Sequence, residues 1–269
     1  MVEYKAGLPE HNDNVSHESP VKEFLSLLVG VFALIFVVYW ALGWAIDMAA
    51  NRLSYEQEAK LFNKIPVDWG ELLGDEAPKK DARLQALVDQ LQKCSVLTPP
   101  ITVSTISKQA PNAVALPGSQ MLIFEGLLKE VDSENGLAFV LAHELGHFIN
   151  RDHLKGLGRG LVLVSISSVL TGPNSSISRL LTPSIQLNTA KFSQGRESAA
   201  DTTALEILNC HYGHVSGATE FFKSLRSMDE QGSKFSHYFA SHPEMETRID
   251  DISNWASTHN AIKGELKAW

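Results

Sequence analysis

Cysteine is scarce in this chain of 269 residues: only Cys94 and Cys210 are present. Two cysteines this far apart cannot make a disulfide scaffold or a CxxC metal site. Two buried free thiols are the favoured reading, with one disulfide left open for an oxidising compartment. A basic excess is missing too. Lys and Arg total 23 against 31 Asp and Glu, a net charge of -8, which excludes nucleic acid as a partner because phosphate-binding surfaces need clustered Lys and Arg. Charge overall is low at 20%, with 44% hydrophobic residues, enough apolar material for one core. No internal repeat is visible.

In one stretch charge is absent altogether. Residues 1–23 are polar, acidic and aperiodic, which predicts a disordered tail too acidic for a mitochondrial transit peptide. From Phe24 to Ile46 no charge occurs, and at about 1.5 Å per residue such a helix spans a hydrocarbon core of about 30 Å. Tyr39, Trp40 and Trp44 gather toward its C-terminal end, where aromatic rings favour the headgroup level. The expectation is a single-pass protein with the lipid bilayer as a partner. Basic residues are balanced across the span, so the positive-inside rule gives no orientation; the reading leans to a bacterial inner membrane with the folded domain on the extracytoplasmic side.

Beyond the span, residues 47–80 read as a weakly patterned linker, 81–258 as the folded domain and 259–269 as a C-terminal tail. Asp81 caps an expected helix over 81–95 with Leu84, Leu87, Val88 and Leu91 on one face. Strand-like runs follow at Ile101–Ile106, Ala113–Leu116 and Met121–Phe124. Pro117-Gly118 fits the centre of a type II turn, which predicts a hairpin over 113–124. Helices are expected over 133–151 and 194–209, around Phe221, Phe222 and Leu225, and behind Pro243. The fold class is α+β, mostly helical, with a small β-sheet and one preceding transmembrane helix.

The chemistry is concentrated in His143-Glu144-Leu145-Gly146-His147. On a helix, His143 and His147 project from one face one turn apart and can reach one metal ion. Glu144 lies about 100° around the axis from His143, beside the metal and placed to accept a proton from water. A catalytic zinc needs one more His, Asp or Glu. Arg196-Glu197-Ser198-Ala199-Ala200-Asp201 supplies Glu197, with Asp201 one turn later to bind the far ring nitrogen of a ligating histidine. Ala199 and Ala200 would let the two helices approach closely.

Pro111-Asn112-Ala113, Ala115-Leu116-Pro117-Gly118, Gly126-Leu127-Leu128, the HELGH helix, Glu197 to Asp201, and His242-Pro243 with Arg248 together resemble the HtpX-like family of membrane zinc endopeptidases. That family includes the CAAX prenyl proteases and mitochondrial inner-membrane quality-control proteases. The resemblance covers roughly residues 80–255. It implies a zincin-like metallopeptidase domain with one Zn2+ per chain, held by His143, His147 and Glu197, with Glu144 as general base. It also implies Asp201 as orienter, His242 near the open coordination position, and Arg248 paired with a carboxylate that fixes the last helix. Relatives carry an arginine three residues before the glutamate ligand; here Gln194 stands there and Arg196 directly precedes Glu197.

The expected activity is hydrolysis of peptide bonds in protein substrates, in quality control of membrane or envelope proteins. Ala113, Val114, Ala115 and Leu116 are the expected edge strand to which an extended substrate adds. The competing reading is a membrane-tethered, chaperone-like binding protein with a zinc site of little turnover, which has no need of Glu144. Cys210, His211 and His214 lack a fourth partner at zinc-finger spacing and read as a loop after the second metal-binding helix. His153 does not complete a HExxHxxGxxH arrangement. The uncharged run Gly160–Ser178 reads as a helical lid over the zinc cleft or at the membrane surface, hinged at Gly156, Gly158 and Gly160.

Overall fold

The computed structural model describes residues 19–62, 77–171, 194–230, 242, 245–261 and 264–269. It falls into two units, divided between Leu42 and Gly43. The first helix, α1 (Pro20–Arg52), runs past both ends of the expected span and exposes Phe24, Leu27, Phe32, Leu34, Phe36, Trp40 and Trp44. Among the described residues it is the one helix long and apolar enough to cross a membrane.

Among the described residues, parts of the segments expected as linker and tail carry regular structure or contacts. Residues 47–80 contain α2 (Tyr55–Phe62) and the short strand β1 (Lys79–Lys80). Ser54-Tyr55-Glu56-Gln57 is a capping box: Gln57 N donates to Ser54 Oγ and Ser54 N to Gln57 Oε1, so the helix starts at once after α1. At the far end, Glu134 N donates to Lys267 O, Lys267 N donates to Asn135 Oδ1, and Arg83 stacks on Trp269. The last residues are held because they supply partners to backbone and side-chain groups at a buried helix start.

The rest follows the periodicity. Helix α3 (Ala82–Gln92) is capped by Asp81, whose side chain accepts from Arg83 N and Leu84 N, and it buries Leu84, Leu87, Val88 and Leu91. Strands β2 (Thr102–Ile106), β3 (Ala113–Leu116) and β4 (Gln120–Phe124) form with β1 a mixed sheet of order β1-β2-β4-β3. β2 runs parallel to β4, whereas β3 and β4 form the antiparallel hairpin. Its three-residue turn has φ 81° at Gly118 and 61° at Ser119, so a second left-handed residue follows the one a type II turn needs. β3 is an edge of the sheet.

Short α4 (Glu125–Lys129) leads to α5 (Glu134–Ile149), whose N-cap Ser133 accepts from Gly136 N. Every residue of α5 from Asn135 to Phe148 is buried. It is the central helix, and its Leu137, Val140, Leu141, Leu145 and Phe148 join one core with α3, β4, α7 (Gln194–Tyr212), α8 (Glu220–Glu230) and α9 (Met245–Thr258). Between α5 and α7 lies α6 (Asp152–Thr171). Gly156, Gly158 and Gly160 sit inside this helix rather than in a hinge, and a Cβ at Gly158 would meet the Ile46 side chain at 2.5 Å. α6 exposes Leu161, Val169 and Leu170; the remainder of the expected lid lies outside the described residues, as does Pro243.

The cysteines are the clearest correction. Cys94 and Cys210 form a disulfide, their Cα atoms 5.9 Å apart, because the C-terminal ends of α3 and α7 meet beside the core. Helix α7 also continues through Cys210 and His211, where a loop was expected.

Candidate metal centre

Two helices build the centre. α5 presents His143 and His147, and α7 crosses it closely enough that a Cβ at Gly146 would stand 2.9 Å from Ala200 Cα. The glycine of HELGH and the small Ala200 therefore permit the approach, while Ala199 is exposed and takes no part. The crossing places Glu197 within reach of both histidines. His143 Nε2 and His147 Nε2 are 3.1 Å apart, His143 Nε2 is 3.4 Å from Glu197 Oε2, and His147 Nε2 is 3.5 Å from Glu197 Oε1. All three residues are at most 1% exposed.

This triangle has the dimensions of a metal site. Zinc binds imidazole nitrogen at about 2.0–2.1 Å and carboxylate oxygen at about 2.0–2.2 Å in tetrahedral geometry, which sets ligand-to-ligand edges at about 3.3–3.6 Å. The ring orientation agrees. His143 Nδ1 is 2.9 Å from Asp201 Oδ1 and His147 Nδ1 is 3.0 Å from Asp152 Oδ2; each carboxylate fixes the Nδ1–H tautomer and turns the Nε2 lone pair toward the shared point.

The electrostatics favour a bound cation. Burial opposes charge on His147, yet Asp152 and Glu197 push its pKa up to about 9; burial opposes charge on His143 as well, and Asp201 and Glu197 raise it. Burial would raise the Glu197 carboxyl, but His242, His143 and His147 hold it far below the usual carboxylate range. Asp201, against the same burial, is lowered by His143 and Arg248. The carboxylates gathered round the two buried imidazoles thus favour positive charge at this point, which a proton or a metal ion would supply.

Glu144 sits beside this triangle. Its Oε2 accepts from Ala115 N at 3.0 Å, while its Oε1 is buried with no hydrogen-bond partner. Such an orphan is costly in a dry protein interior, and it faces the side where His242 Nε2 lies 3.7 Å away. His242 Nδ1 in turn lies 3.3 Å from His143 Nε2 and 3.0–3.1 Å from the Glu197 oxygens. His143, His147, Glu197 and His242 thus form one buried group that could hold a metal ion. Burial lowers the His242 pKa despite the neighbouring carboxylates, which favours its neutral form. Arg248 makes paired bonds to Asp201 (Nε–Oδ2 and Nη2–Oδ1, both 2.7 Å) and places Nη1 2.9 Å from Glu197 Oε2. It thereby ties α9 to α7.

The expected edge strand reaches the centre through its backbone. On β3 the free-edge donor Ala115 N is held by Glu144 and Ala113 N by the Asn112 side chain; Val114 and Leu116 are half-buried. Two residues escape sequence reasoning, and Asn112 entered it only as part of the Pro111-Asn112-Ala113 run, with no role assigned. Asp152 follows the HELGH helix by three positions, where only its acidic character beside a histidine pair is a signal. Glu58 accepts from Arg151 Nη1 and Gly118 N and lies 2.9 Å from His153 Nε2, and nothing in YEQEAKLF announces it. His153 is thus turned to Glu58, away from the metal group.

A buried HExxH pair joined by a glutamate from a second helix defines a zincin-type metallopeptidase centre. The chain belongs to peptidase family M48, whose model matches residues 78–256. It is similar to the mitochondrial metalloendopeptidase OMA1 of Schizosaccharomyces pombe, 29% identical over 156 residues, which are 56% of this chain and 45% of that protein. It is also similar to the beta-barrel assembly-enhancing protease of Yersinia pestis, 26% identical over 54% of this chain and 32% of that protein. The metalloprotease YcaL of Escherichia coli is 25% identical over 69% of this chain and 74% of its own length. The chain spans less than half of the length of the OMA1 relatives it matches.

Proposed function

We propose that this chain is a membrane-anchored zinc metalloendopeptidase that hydrolyses peptide bonds in protein substrates, acting in quality control of membrane or envelope proteins. The observation that carries the reading is the buried triangle of His143, His147 and Glu197 with Glu144 beside it, one carboxylate oxygen unpartnered. A purely structural metal site has no use for such a group. The named activities of the OMA1 and YcaL relatives support the same class.

His143, His147 and Glu197 would hold the zinc, one per chain. When bound, zinc supplies Lewis acidity, lowering the pKa of water and polarising a carbonyl. Glu144 accepts the proton of the attacking water on its free Oε1 and returns it to the leaving amine. Asp201 and Asp152 keep the two imidazoles in their ligating tautomers. His242, whose Nε2 lies 3.7 Å from that same Glu144 Oε1, stabilises the oxyanion that develops as the carbonyl is attacked. The β3 edge beside Glu144 would take the extended substrate backbone by displacing the contacts now made by Ala113 N and Ala115 N, and that mode tolerates many side chains, as quality control requires.

The disulfide supports the orientation. A Cys94–Cys210 bond persists in an oxidising compartment, which favours a domain on the extracytoplasmic side of the membrane. The function is tested on detergent-solubilised protein by metal analysis and casein cleavage. Wild type should carry one zinc and cleave; Glu144→Gln should keep the zinc and lose cleavage by at least about 100-fold; His143→Ala, His147→Ala or Glu197→Ala should lose most of the metal. Full zinc in Glu197→Ala would reject it as third ligand. Equal inertness of wild type and Glu144→Gln, with both suppressing client aggregation, would favour a binding protein instead.

A further inference from the structure

Past Arg52 the chain feeds directly into the packing around the metal helix. The capping box at Ser54 starts α2 and turns Glu58 inward, where it is 1% exposed. A glutamate is almost never buried so fully without partners, and each of its oxygens is engaged. Oε2 accepts from Arg151 Nη1; Oε1 accepts from Gly118 N at 3.0 Å and lies 2.9 Å from His153 Nε2.

Arg151 is the unusual member. It adopts φ 58°, the left-handed region that glycine or asparagine normally fills after a helix and that a residue with a long side chain avoids. Its guanidinium is held on three sides, all by residues 53–58: Cζ lies 3.4 Å from the centre of the Tyr55 ring, Nη2 donates to Leu53 O at 2.8 Å, and Nη1 donates to Glu58. The turn has a direct effect at the metal. Along an uninterrupted helix, a residue five positions beyond His147 would lie about 140° around the axis from it. Instead α5 stops, Arg151 O accepts from Leu154 N and Lys155 N, α6 begins, and Asp152 Oδ2 comes to 3.0 Å from His147 Nδ1.

We propose that residues 53–58, immediately after the membrane helix, are a positioning clamp for the metal centre: through Arg151 they hold the left-handed turn that aims Asp152 at His147. Glu58 and Arg151 are positioning residues in this scheme, since neither touches the metal or substrate. The same carboxylate pins the tip of the β3–β4 hairpin through Gly118 N, so the clamp also fixes the edge strand beside Glu144. The inference rests on the zinc-peptidase reading above. It adds that the juxtamembrane segment sets zinc affinity, which a simple tether would not.

The test measures zinc dissociation constants by chelator competition on the full chain in detergent, with circular dichroism of each variant to check the fold. Glu58→Gln and Asp152→Asn should each weaken zinc binding about 10-fold or more, as loss of a ligand's outer partner does. The double variant should be no weaker than the more severe single one, because both act along one route. Excess zinc should restore cleavage by Glu58→Gln. Should that variant fail to fold, Arg151 decides the question: Arg151→Gly, which accepts the left-handed backbone, should retain zinc clearly better than Arg151→Val, whose β-branched side chain resists it. Zinc affinity of Glu58→Gln within twofold of wild type, multiplicative effects in the double variant, or equal affinities of the two Arg151 variants would overturn the clamp. Wild type that binds no zinc would overturn the zinc-peptidase reading itself, so the two failures are distinct.

Discussion

Asp201 serves two masters in opposite directions. Its Oδ1 lies 2.9 Å from His143 Nδ1 and 2.7 Å from Arg248 Nη2, and its Oδ2 accepts from Arg248 Nε. It therefore orients His143, a proposed metal ligand, while anchoring α9. Replacing it with alanine frees the His143 ring and leaves the Arg248 guanidinium buried without that carboxylate; zinc affinity should fall about 10–100-fold with the helical circular dichroism retained. Unchanged affinity in a chelator titration would remove the orienting role. Glu58 gives a pH signature. Burial alone would raise its pKa, but His153, the Gly118 amide and Arg151 hold it below the ordinary 4.5. A depressed carboxylate contributes stability that is present above the ordinary value and lost as pH falls through the depressed one. The groups facing it are Arg151, His153 and Tyr55. The melting temperature of wild type should thus exceed that of Glu58→Gln above the ordinary carboxylate range, and the margin should close in acid. A margin that widens in acid contradicts the assignment.

At the scale of elements, the crossing of α5 and α7 decides whether the ligands meet. Gly146 is the contact point, and a Cβ there would press on the Ala200 backbone rather than on a yielding side chain. Gly146→Ala should force the helices apart at a cost of about 1–3 kcal/mol, lowering the melting temperature by about 2–10 °C and zinc affinity at least about tenfold, since Glu197 moves with α7. A variant that melts and binds as wild type does would mean the helices do not pack this way. The helices of the domain were legible in the sequence because their signals are local: Asp81 is a cap of α3, the HELGH spacing is one turn, and Glu197 with Asp201 repeats it. The hairpin was legible through Pro117-Gly118. What was not legible depends on long separations. Glu58 meets Arg151 across 93 positions and Cys94 meets Cys210 across 116, and an arginine gives no hint that its backbone is left-handed. Glu58 and Lys267 lay in stretches that looked like connectors because their partners, Gly118, Arg151 and His153 for the one and Glu134 and Asn135 for the other, are far away in the chain.

Across the whole molecule, the disulfide has a bearing on self-digestion. The HELGH helix and the Glu197 helix both lie between Cys94 and Cys210, so the bond draws a covalent ring around the proposed metal ligands His143, His147 and Glu197. Any single scission between Ser95 and Asn209 opens that ring without parting the molecule. A protease nicked there by its own neighbours stays one particle, with His143, His147 and Glu197 on linked pieces. On a gel such a preparation should run as one full-length band without reductant and resolve into two fragments with it, while its zinc content stays that of the intact protein. Fragments that separate without reductant would show that the ring is not closed. With the bond formed, a first cut inside the ring is an injury the enzyme survives, and loss of its thiol oxidation becomes the step that lets degradation run to completion.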